Sequence, residues 1–95
     1  MEEIVKLIKL IVDQDMEGLR TLDEQISEQV VRLNNTLKSF SITLSTLEKY
    51  GLNDCEEYSL IITKWEEYDE NLKAYTDLLL KIRKAIAELE KELNT

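Results

Sequence analysis

Ninety-five residues with no proline and two glycines make one domain at most and leave few places to interrupt a helix. Twenty acidic against twelve basic side chains give a net charge of −8, which repels phosphate backbones and anionic headgroups and so argues against nucleic-acid binding. The absence of histidine removes Ser-His-Asp and Cys-His nucleophilic machinery, histidine phosphotransfer and nearly every zinc motif.

The chain opens on a strongly apolar stretch, residues 1–12. Ile4, Val5, Leu7, Ile8, Leu10, Ile11 and Val12 are broken only by Lys6 and Lys9. On a helix these positions cover roughly 220° of circumference, far more than one neighbouring helix can bury. Met1-Glu2-Glu3 is acidic where the positive region of a signal peptide belongs, so no such leader is expected. The longest apolar run is three residues and there is one cysteine, Cys55. Both point to a cytoplasmic chain without a membrane span. Leaderless export by a specialised system fits the same features.

Asp13-Gln14-Asp15-Met16-Glu17-Gly18 supplies two candidate N-caps, Asp13 and Asp15, and a poor helix former. It is a weak point, with the following stripe expected to be essentially continuous from Val12 to Lys49. The same residues match the spacing of an EF-hand calcium loop: Asp13, Asp15, Glu17 and Glu24 at positions 1, 3, 5 and 12, and Gly18 at position 6. Two departures count against it. Glu17 stands where Asp or Asn is preferred, and Arg20 takes a normally aliphatic position.

From Leu19 onward the apolar residues Leu22, Ile26, Val30, Leu33, Leu37, Phe40, Leu44 and Leu47 keep a near-heptad spacing. Tyr50-Gly51-Leu52-Asn53-Asp54 then reads as a turn, with Gly51 in the left-handed position and Asn53 or Asp54 as N-cap. The last stretch repeats three- and four-residue steps without an error: Tyr58, Ile61, Trp65, Tyr68, Leu72, Tyr75, Leu79, Ile82, Ile86, Leu89 and Leu93. Folded between the stripes, Leu47 meets Tyr58, Phe40 meets Trp65, Leu33 meets Leu72 and Ile26 meets Leu79. At Ile82 the register asks for Asp23, and the adjacent Leu22 must substitute.

The expected fold is therefore all-α: one helical domain forming a long, coiled-coil-like antiparallel hairpin. Its segments are 1–12 (apolar helical), 13–49 (first long helix), 50–53 (turn) and 54–93 (second long helix). In this register Ile4 to Ile11 project past the end of the last helix. Tyr58, Trp65 and Tyr68 are larger than a two-stranded seam prefers, and Leu60, Leu78 and Ala85 form a stripe beside the main one. Both features ask for a further layer. Fold-back of residues 1–12 or dimerisation would supply it, as a three- or four-helix bundle.

The functional expectation is a non-enzymatic interaction module: an adaptor, inhibitor, chaperone or assembly factor that works by helix packing. Its contact residues are Ile4, Leu7, Ile8, Ile11, Leu60, Leu78 and Ala85, its partner another protein or, preferentially, a second copy, and it needs no cofactor. A calcium-responsive role for residues 13–24 is the alternative of a different class.

The hairpin length and acidity resemble the Trp-x-Gly helical-hairpin substrates of specialised secretion systems, although Tyr50-Gly51 replaces the Trp-x-Gly turn. Residues 13–22 between two helical stretches resemble small acidic flagellar export chaperones. Either resemblance implies a protein partner and no catalysis.

Overall fold

A computed structural model describes residues 2–94. It is all-helical, with α1 over Glu2–Val12, α2 over Met16–Lys49 and α3 over Glu56–Leu93, and no strand among the described residues.

The helix ends follow from local chemistry. In α1, Glu2 and Glu3 lie in the first turn and Lys9 in the last, each matching the helix dipole. The break between α1 and α2 is real, so the stripe is not continuous through residues 13–15. Gln14 adopts φ 53°, the Asp15 N–H donates to Leu10 O at 3.0 Å, and the Gln14 N–H donates to Ile11 O at 3.1 Å. That pair of bonds is a Schellman close, with glutamine in the position glycine usually takes. Asp15, one of the two expected caps, opens α2: its Oδ1 accepts from the Gly18 N–H at 2.9 Å.

α2 closes in the same way. Gly51 has φ 71°, and the Leu52 N–H donates to Leu47 O at 2.8 Å. The start of α3 corrects the expected caps Asn53 and Asp54. With Glu56 the first helical residue, Cys55 holds the cap position, and its carbonyl accepts from the Ser59 N–H at 3.4 Å.

The chain divides into two compact units, Met1–Gln29 with Tyr75–Thr95 and Val30–Ala74. The first contains α1, the N-terminal part of α2 and the C-terminal part of α3. Its core holds Leu19 and Ile82 at 0% exposure, Leu78 at 1% and Leu22 at 2%, joined by Leu7, Ile26, Leu79 and Leu89. Arg20 meets Glu90 and Asp23 meets Arg83, both at 3.1 Å, so the two long helices are opposed in direction here. Leu22 is buried and Asp23 is turned to Arg83, which is how the unit accommodates the acidic residue that the seam register places opposite Ile82. Segment α1 does not project past α3. The positive φ at Gln14 turns it back, so that Leu10 lies against Gly18 and Ile11 beside Leu89.

In the second unit Leu33 and Leu37 are the buried apolar residues. The Phe40 ring packs on Tyr68, centroids 5.6 Å apart and planes at 46°, one helical turn along α3 from the expected Trp65. Nearer the turn, the Tyr58 hydroxyl donates to Glu48 at 2.5 Å.

Candidate interaction surface

The first helix presents two unlike sides. Leu7 points into the core at 4% exposure, with Ile4 and Leu10 half-buried beside it. Val5, Ile8, Ile11 and Val12 remain 69%, 55%, 46% and 75% exposed. At about 100° per residue, Ile8, Val12 and Val5 share an arc of roughly 60°, with Ile11 and Ile4 along one edge. Three turns of helix thus carry more apolar surface than α2 and α3 cover.

Alongside that edge lies an open groove of about 320 Å³ between α1 and the other two helices of the unit. Ile11, Leu19, Ala85 and Leu89 supply its apolar lining, and Lys81, Lys84, Glu88 and Glu92 supply its rim. The rim charges are sorted along α3, basic at 81 and 84, acidic at 88 and 92. Groove and exposed arc together form a hydrophobic trough with a polar edge, the usual anatomy of a docking surface for a helix.

A polar cluster fixes the helices behind it. Arg83 Nε donates to Asp23 Oδ2 at 3.1 Å and Nη2 to Ser27 Oγ at 3.3 Å, while Ser27 Oγ donates to Asp23 Oδ1 at 3.2 Å. One arginine so joins two α2 side chains a turn apart, which pins the helix register in this unit.

Not all of the contact residues expected from sequence are on this surface. Leu7 and Leu78, at 4% and 1% exposure, belong to the chain's own core and offer no contact surface. On the side stripe of α3, Leu78 is buried in the unit that contains α1, and Ala85 lines the same groove as Ile11. Ile8 and Ile11 are exposed, Ile4 and Ala85 half-buried, and Leu60 is 60% exposed in the other unit. Val5 and Val12, part of the apolar stretch 4–12 but not among the named contact residues, also belong to the surface. Their signal was helical phase: both fall on the arc of Ile8, opposite Leu7. Of the seam residues, Leu33 and Leu79 are buried, and Phe40, Leu47, Tyr58, Trp65 and Leu72 are half-buried.

The calcium-loop expectation is corrected. Residues from Met16 onward are helical, which places Glu17 and Glu24 about two turns apart on α2, and Asp15 is engaged as its cap. No cluster of three or more metal-ligating side chains occurs among the described residues. Tyr58 has its pKa raised above the ordinary phenol value, first because its hydroxyl donates to Glu48, then by desolvation and by that carboxylate's charge. Cys55 is a free thiol, half-buried, with Sγ 2.9 Å from Leu52 O. Among the described residues no helix is long and apolar enough to cross a membrane.

No protein-family model matches this chain, and neither the curated proteins nor the solved structures contain a significant match.

Proposed function

We propose that this chain is a non-enzymatic protein–protein interaction module built on an antiparallel helical hairpin, with α1 folded back as the third helix of a bundle. One observation carries the proposal: α1 leaves Val5, Ile8, Ile11 and Val12 bare beside an apolar groove with charged edges. The occupant that suits it is an amphipathic helix of a partner protein, laid along α1 and α3. Its acidic side chains would face Lys84, and its basic ones Glu88.

Burying the exposed parts of the four α1 residues contributes about 4–7 kcal/mol, enough to offset a substantial share of the association entropy. Such a surface acts by occupancy. It can hold a partner soluble, block another contact or place two proteins together, the physics shared by chaperones, inhibitors and adaptors.

The test compares the intact chain with Ile8→Glu and Ile11→Glu in affinity purification from the native cell. A helical protein retained by the intact chain is expected to be lost, or retained at least tenfold more weakly, by both variants. Equal retention by all three chains refutes a docking role for α1.

A further inference from the structure

Residues Val30–Ala74 carry a separate observation. Leu33 and Leu37 are buried there, yet the seam beyond them, from Phe40 and Leu47 to Tyr58, Ile61 and Trp65, is only half-buried. In the other unit Leu19, Leu22, Leu78 and Ile82 are each at most 2% exposed. The contrast has a physical cause. Leu60 stands eighteen positions before Leu78, five full turns, and so has the same helical phase. In the unit that contains α1, Leu78 is 1% exposed, whereas Leu60 is 60% exposed.

Two features of this unit select what covers it. The first is side-chain size. Phe40, Tyr58, Trp65 and Tyr68 are too large for a two-helix seam and fit a core shared by four helices. The second is charge. Residues 30–49 hold three basic side chains against one acidic, net +2, whereas residues 56–74 hold two basic against six acidic, net −4. A two-helix unit with charge segregated in this way is complementary to itself. A two-fold axis along the helices sets the basic stretch of each copy against the acidic stretch of the other. An axis across them would pair like with like. The available area suffices: two stretches of about 30 Å, together about 20 Å wide, bury roughly 1,200 Å² between two copies, the lower bound for a specific interface.

We propose that Val30–Ala74 is one half of a four-helix bundle completed by the same stretch of a second copy, with both turns at the same end. The proposal rests on the reading of this chain as a helix-packing module, and it assigns self-association to a surface other than α1.

Sedimentation equilibrium of the full chain is expected to show a dimer, and Leu60→Glu to raise its dissociation constant at least tenfold while helical circular dichroism is unchanged. Arg32→Glu/Lys38→Glu and Glu67→Lys/Glu70→Lys are each expected to weaken self-association about tenfold. Mixing the two variants is expected to restore the wild-type affinity, because each supplies the charge that the other lacks. A short bismaleimide is expected to link Cys55 to Cys55, since the shared-end arrangement brings the only cysteine of each copy close together.

A chain that stays monomeric at about 100 μM overturns the proposal, and so does a dimer indifferent to Leu60→Glu. A dimer that resists the Cys55 link, or that Ile8→Glu disrupts in place of Leu60→Glu, overturns it as well. A monomer whose partner capture still depends on Ile8 and Ile11 leaves the α1 surface standing.

Discussion

Replacing Gly18 with alanine tests the α1–α2 corner, because the corner reverses the sign of the expected effect. In an exposed helix interior the change stabilises by about 1 kcal/mol, since glycine has more backbone entropy to lose. Here the new Cβ would lie 2.5 Å from Leu10 Cδ2 and 2.6 Å from Asp15 Oδ2. The Asp15 carboxylate is the cap of α2, and displacing it costs about 1 kcal/mol. Moving Leu10 out of a packed contact costs about 1–3 kcal/mol more. The net is a destabilisation of about 1–3 kcal/mol, or roughly 5–20 °C in Tm for a domain of this size. Thermal melting by far-ultraviolet circular dichroism measures it, and hydrogen exchange locates it, with protection lost first in α1. In a Leu10→Ala background the same change is expected to cost at least about 0.5 kcal/mol less, the coupling that marks a direct contact. A Gly18→Ala chain that melts above the wild type refutes the close approach of α1 to this glycine.

Other consequences are as direct. Leu78→Ala opens a cavity in the core of the unit that contains α1 and is expected to cost about 2–5 kcal/mol by denaturant unfolding, whereas Leu60→Ala, at the same phase but exposed, stays within about 0.5 kcal/mol in dilute solution. Comparable losses at the two positions would contradict the burial difference. Because the pKa of Tyr58 is raised, its neutral form stabilises the fold below the ordinary phenol pKa of about 10, and that contribution disappears as pH rises through the higher folded value. Ultraviolet titration should therefore show a tyrosine component above pH 10 that Tyr58→Phe removes and Glu48→Gln shifts down; a curve unchanged in both variants argues against the bond. Millimolar calcium is expected to leave the melting temperature where it is, since Glu17 and Glu24 are committed to α2, and a saturable rise would overturn that view of residues 13–24.

Much of this protein is legible in the order of its residues, because period and breaker chemistry are local. The heptad steps from Tyr58 to Leu93 and the turn at Gly51 need no partner to be read. Asp23 is visible as the residue that the register sets opposite Ile82, whereas its pairing with Arg83 is not. The excess apolar arc of residues 4–12 is legible too, and part of it stays exposed in the structure.

Where that layer lies is a tertiary matter. Gln14 takes a left-handed conformation without glycine to announce it, because the Schellman bonds and the packing of Leu7 and Leu10 offset the local strain. That single turn converts Leu7 and Leu78 from surface candidates into core, and it gives Gly18 a steric reason to be glycine that resembles, in sequence alone, the glycine of a calcium loop. Periodicity assigns a face to each helix, but which faces meet depends on the direction in which the chain leaves residue 14. Residues 13–15 decide it, and the turn they make sets Leu10 against Gly18 and Ile11 beside Leu89.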